Sequence, residues 1–241
     1  MVKFQFCRGF FSALALGILV SAASAGPIAD FDGVFRLAHA DYRTALAVTN
    51  TKNREASDKA VAAFESKWSA LTASYRASPP PQFAEDAKWR ESLDAITAIL
   101  VRAKAEVAKG DLAAGHTSLE AVREVLGEMR ARNGVVAYSD RIDAFHHTME
   151  EVVSKPYGGF SGAGLTELIE DAAVLAYLGD ALKKMPPPDA LKAADFAPTL
   201  AAVLDAVRDL QSAARASDVE KIKAARSRIK PAFGKLFVKF G

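Results

Sequence analysis

The chain has one cysteine, Cys7, close to its N-terminus, so no disulfide within the chain can form, and a thiolate ligand or cysteine nucleophile has only that position to occupy. No run of alternating β-branched residues appears, which removes the sequence signal of a strand. The longest apolar run, Gly9–Val20, stops short of the roughly 20 residues that span a bilayer. Lys and Arg form no block, and 31 of them face 29 Asp and Glu, which argues against nucleic acid or an anionic membrane as the main partner. Catalytic signatures are missing too. There is no Gly-x-Ser-x-Gly, no His-Glu-x-x-His and no paired Glu-x-x-His set of the di-iron bundles, so no catalytic residue is assigned.

The N-terminal stretch reads as a targeting segment. Lys3 and Arg8 precede the apolar run, and Ser21–Ala25 (SAASA) places Ala23 and Ala25 in the A-x-A pattern of a signal-peptidase site. Cys7 lies before the apolar run, whereas the lipid-bearing cysteine of a lipoprotein follows it. Cleavage after Ala25 makes residues 1–25 a signal peptide and the mature protein periplasmic or secreted, with no transmembrane segment left. It also removes Lys3, Arg8 and the cysteine, leaving 29 basic against 29 acidic residues. Hydrophobic packing must then hold the fold alone.

The remaining chain reads as helix throughout. Phe31, Phe35, Ala38, Tyr42 and Ala45 step by four and three, the stripe of an amphipathic helix. Ala60, Phe64, Trp68, Leu71 and Tyr75 repeat it, as do Leu93, Ile96, Leu100, Ala103 and Val107, and then Leu112, Gly115, Leu119, Val122, Leu126 and Met129. Breakers at Thr49–Asn53, Ser78–Pro81, Gly110–Asp111 and Asn133–Gly134 bound the stripes. Four helices with short turns predict an up-down bundle.

The pattern then recurs at an offset of 107, the distance from Gly134 to Gly241. Pro79–Pro81 falls on Pro186–Pro188, Asp111 on Asp218, Ile96 on Val203, Leu126 on Phe233 and His39 on His146. The matches lie at breakers and core positions, where a shared fold constrains residues most. The fold class read from this is all-α, a tandem duplication of an up-down four-helix bundle: residues 26–134 form the first unit, 135–241 the second, and Gly134 marks the seam. The period is too long for a solenoid. In the second unit Ser154–Gly164 (SKPYGGFSGAG) takes the place of a turn and the early second helix, with Tyr157 and Phe160 as its pins. Pro198 is expected in the first turn of a helix and Pro231 inside one, where it should kink it.

A signal peptide followed by an alanine-rich four-helix unit with a proline-bearing central turn resembles the periplasmic cytochrome c prime and b-type cytochrome bundles. Ala224–Gly241 (AARSRIKPAFGKLFVKFG) is similar to the last helix of cytochrome c prime. The resemblance implies haem, attached in that family through Cys-x-x-Cys-His in this helix. No cysteine stands there, so covalent haem is excluded. The b-type relatives ligate haem from a first and a last helix, which the resemblance carries to His39 and His116. Their axial offset of roughly 10 Å is too large for two faces of one iron, so no tightly held haem is expected either.

Histidines supply the remaining chemistry, and three of the four lie between His116 and His147. His39 has Arg36 and Arg43 on its own face, which disfavours a bound cation. At the offset position His146 has Asp143, Met149 and Glu150, and His147 has Asp143 and Glu151. His116 is followed by Glu120 one turn on. The expected metal centre therefore draws on His146, His147, Glu150 and Asp143, with His116 and Glu120 as further ligands, for copper, iron or zinc. Met149, if turned toward the site, would favour copper(I). With one helix ending at Arg132 and the next starting near Ser139, His116 lies about 24 Å and His146 about 10 Å from the turn at the helical rise, so a three-histidine cage is not expected. The competing reading is a solvated helix face with i,i+4 His–carboxylate pairs. Function follows in two forms: an exported, non-enzymatic binding module for a metal ion, serving transport, storage or electron transfer, with non-covalent haem as its alternative ligand; or a structural or partner-binding helical module with no small ligand, which docks a membrane complex or exported protein.

Overall fold

The computed structural model describes residues 26–241; the signal-peptide reading of residues 1–25 lies outside them. The described chain is all helical. α1 runs Pro27–Thr49, α2 Arg54–Tyr75, α3 Trp89–Ala108 and α4 Leu112–Arg132. α5 follows at Tyr138–Ser154, then α6 at Gly162–Ala181, a short α7 at Pro188–Lys192, α8 at Phe196–Arg215 and α9 at Val219–Phe240. Among the described residues there is no strand, and no helix is long and apolar enough to cross a membrane.

The helix ends follow from local chemistry. Asp111 and Asp218 accept the backbone N–H of Ala114 and Lys221 at 3.0 and 3.1 Å, the N-caps of α4 and α9. Just before each cap the chain turns through a left-handed residue, Gly110 in one case and Ser217 in the other. Shifted by 107, α3 falls on α8 end for end, and Leu112 at the start of α4 falls on Val219 at the start of α9. The prolines correspond as well: Pro81 opens a 3-10 turn, Pro81–Phe83, and Pro188 opens α7.

α1 packs on α2 and α4, and α3 packs on the same two helices; α5 and α8 stand in that relation to α6 and α9. Each set encloses its own hydrophobic cluster, one including Tyr42, Trp68, Trp89 and Leu126, the other Phe145, Leu175, Val203 and Phe233. The predicted stripes supply these cores, and a buried Leu or Phe contributes about 1.5–3 kcal/mol. In the first cluster Trp89 Nε1 donates to Tyr75 O at 2.8 Å and Tyr42 Oη to Leu119 O at 3.2 Å. The buried hydroxyl of Tyr138, by contrast, has no hydrogen-bond partner among the described residues.

Side chains of α1 and α9 help to join the sets. Phe237 of α9 packs against both clusters, and Arg43 of α1 donates to the carbonyls of Val238, Lys239 and Gly241 at the end of α9.

The glycine-rich stretch differs from expectation. α6 begins at Gly162, so Gly162–Gly164 lie inside the helix and the early second helix is not displaced. Only the link is altered: Tyr157 and Phe160 are buried, and the Arg226 guanidinium lies 5.4 and 5.1 Å from their ring centres while donating to Val152, Val153 and Lys155 carbonyls. Pro198 sits in the first turn of α8 as expected, and α9 continues through Pro231 to Phe240.

Candidate functional site

The turn between α4 and α5 sets the site. Gly134 adopts φ 66°, a left-handed conformation that glycine enters without strain, and Val135 N–H returns to Arg130 O at 3.0 Å. Asp140 then accepts the N–H of Ala137 at 2.7 Å and Nε of Arg130 at 2.8 Å. Arg130 is buried, and removing one partner of such a pair leaves an uncompensated charge. This lock fixes the register of the two antiparallel helices, and the register brings Arg123 of α4 against Asp143 and His146 of α5.

Arg123 is the centre of the arrangement. Its Nη2 donates to Glu120 at 3.1 Å, its Nη1 lies 2.7 Å from His146 Nδ1 and 3.7 Å from Asp143, and its guanidinium sits 5.8 Å from the Phe237 ring centre. A guanidinium only donates, so Nδ1 of His146 must be the acceptor. The proton of the neutral ring is then on Nε2, which faces Glu150 at 3.4 Å. Burial, with Arg123 adding to it, holds the His146 pKa below its ordinary value, and burial raises that of Asp143 to about 6 against the opposing pull of Arg123 and Arg130.

The other predicted ligands are dispersed. Glu150 pairs with Lys230 of α9 at 2.8 Å. His147 is 82 % exposed, and its one ion-pair contact among the described residues is Glu151, at 3.5 Å. His116 lies by the end of α1, with Nδ1 at 3.1 Å from Leu46 O and Nε2 at 3.2 Å from Asn50 Nδ2; a carbonyl only accepts, so Nδ1 donates and Nε2 receives the amide. Glu120 is 3.6 Å from that ring and already holds Arg123. Met149 is buried in the core. His39 stacks on Phe35 and receives Arg43 at 3.2 Å, and burial together with Arg43, Arg130 and Arg123 lowers its pKa to about 3. Among the described residues, no three His, Cys, Asp or Glu side chains are grouped to hold a metal ion. The lone pairs of His39, His116 and His146 are all engaged.

Arg123 and Lys230 were not among the expected site residues. Both lie on helices facing α5, and counting along α5 alone does not find them. The signal was present in the short turn at Gly134, since a tight hairpin brings residues about equally far from it together.

What α4 and α5 enclose is a groove of about 660 Å³. Gly127, Ala131, Val135 and Val136 form its apolar lining; Glu120 and Glu124 of α4 and Asp140, Asp143 and Glu150 of α5 form the acidic one, with Arg123, His146 and His147 completing it. A Cβ added at Gly127 would meet nothing within 4 Å, so packing does not require a glycine there. Beside His39 the first core leaves a cavity of only about 10 Å³, room for about one water.

Comparison of the chain with protein-family models, with curated proteins and with solved structures finds no match.

Proposed function

We propose that the protein is an exported, non-enzymatic binding module, built as a tandem duplication of an up-down four-helix bundle, whose groove between α4 and α5 receives a cationic partner. The coincidence of helix ends at an offset of 107 supports the duplication. In this reading the likeness to the periplasmic cytochrome bundles is one of architecture, without their haem: the cavity beside His39 is far too small for a porphyrin.

One observation carries the choice of ligand. The groove offers five carboxylates over an apolar lining, four of them shared with Arg123, Arg130 or Lys230 and Glu124 with no ion-pair partner among the described residues. The lone pairs of His146, His39 and His116 are engaged by Arg123, Arg43 and Asn50, which leaves only the exposed His147 to a transition metal. A bare metal ion at His146 would have to displace the half-buried Arg123 guanidinium. An organic ammonium or guanidinium group needs only acceptor oxygens and an apolar surface for its stem.

Titration of the purified protein with spermidine, and separately with Zn²⁺ and Cu²⁺, tests this through the Val135 and Val136 methyl resonances. Spermidine is expected to shift both, and Glu124→Lys to weaken it. Stoichiometric zinc or copper at His146, with valine signals unmoved by spermidine, would return the case to a metal-binding protein.

A further inference from the structure

Resting on that reading, we infer that the occupant of the groove is an amphipathic basic α-helix of a partner protein, laid lengthwise between α4 and α5. The dimensions of the groove point to a helix. Its α4 wall runs from Glu120 to Ala131 and its α5 wall from Asp140 to Glu150, each about 16 Å long at the rise of a helix. A volume of about 660 Å³ spread over that length leaves a cross-section of ~40 Å², roughly half the ~80 Å² section of a helix ~10 Å across. A single ammonium group would leave most of this length wet. A helix would set one face between the walls and keep the other in solvent, as in other helix-in-groove complexes.

The chemistry runs the same way along the groove. Gly127 and Ala131 are spaced one turn apart and carry almost no side chain, so a ridge of a third helix can approach the α4 backbone there. Val136 continues the apolar line beyond them and is 58 % exposed. Asp140 and Glu150 already hold Arg130 and Lys230, while Glu124 has no ion-pair partner among the described residues. The strongest attraction for an incoming Lys or Arg is therefore on the α4 rim, and salt should weaken it.

The test is fluorescence anisotropy with two labelled peptides of about 14 residues, identical in Leu, Ala and Lys content. One is ordered as an amphipathic helix and the other scrambled to lose its apolar face. The ordered peptide is expected to bind at least about tenfold more tightly and to gain helicity by circular dichroism. Gly127→Leu, whose Cβ meets nothing within 4 Å, projects into the groove and should weaken binding by about tenfold with the thermal midpoint kept. Glu124→Gln should weaken it by a smaller factor. Equal binding of the two peptides, or binding of spermidine but of neither peptide, overturns the helix and leaves the cation reading standing. Silence from peptides and spermidine alike removes both. Unchanged peptide binding in Gly127→Leu overturns the location.

Discussion

His39 on α1 and His146 on α5 stand 107 residues apart, and their own helices surround them with opposite charges. His39 has Arg36 and Arg43 within one turn, His146 has Asp143 and Glu150. Yet each ring receives a guanidinium at Nδ1, from Arg43 at 3.2 Å in the first case and from Arg123 at 2.7 Å in the second. The inversion on α5 is answered by a cation on the helix facing it. A helix face is half of an electrostatic site; the other half belongs to whatever packs against it.

The two helix sets differ further at positions 107 residues apart. Leu119, fully buried in the first half, has Arg226 as its counterpart, and Phe64 has Asp171. In the second half these polar side chains hold the Tyr157 link: Tyr157 Oη donates to Asp171 at 2.7 Å and Arg226 takes three carbonyls at the end of α5. The largest expected effect separates the two solutions. Leu119→Ala should cost about 3 kcal/mol through lost burial and a cavity. Arg226→Ala should cost about 2–3 kcal/mol through charged hydrogen bonds, and it alone should open the 155–161 link to protease. Denaturant melts with limited proteolysis read both; equal nicking in the two variants would mean that the Arg226 contacts do not hold the link.

Acid sharpens the histidine comparison. The His39 pKa, lowered from 6.5 to about 3 by burial and by Arg43, Arg130 and Arg123, means that the unfolded chain takes up a proton the folded one refuses. Stability contributed by this group is whole above pH 6.5 and declines as pH falls toward 3, by about 2 kcal/mol between pH 6.5 and 5. His146 and His116 act in the same direction, since burial lowers both. Asp143 opposes them: with its pKa raised from 3.8 to about 6, the folded state gains stability as pH falls through that window. Three groups outweigh one, so the net effect is acid destabilisation. Melts at pH 7 and 5 should show a smaller difference in His39→Gln than in wild type, and a larger one in Asp143→Asn. Identical differences in all three proteins would remove these groups as its source.

Much of this fold was legible in the sequence because helices announce themselves locally. The stripes of Leu93 to Val107 and of Leu119 to Met129 are buried as spaced, and breakers such as Gly110–Asp111 are turns. The extent of α6 was not legible, since Gly162 and Gly164 argue for a loop by propensity. Gly164 packs so closely on Tyr157 that a Cβ would fall 2.1 Å from its carbonyl oxygen, a tertiary reason invisible in composition. In the candidate site, Asp143, His146 and Glu150 were found by spacing along α5, and Glu120 by its spacing from His116 along α4. Arg123 was missed because its role depends on register. Distances measured from Ser139 put His146 too near the turn; in the structure it lies level with Arg123.

The smallest expected effect is also the one that most directly breaks the comparison. If a facing cation is what engages His146, then Arg123→Met should free the Nδ1 lone pair beside Asp143, Glu120 and Glu150. The methionine keeps most of the apolar contact with Phe237 and removes the charge. A unit charge about 4 Å away is worth on the order of 4 kcal/mol at an effective dielectric near 20. Solvent screening reduces that several-fold, so a gain of about tenfold in zinc or copper affinity is expected. Arg43→Met removes the same kind of contact from His39, but among the described residues no carboxylate pairs with that ring, and no gain is expected. Isothermal titration of wild type and both variants, with circular dichroism to check that each is folded, decides it. Equal affinities in all three would show that the guanidinium is not what separates His146 from a metal.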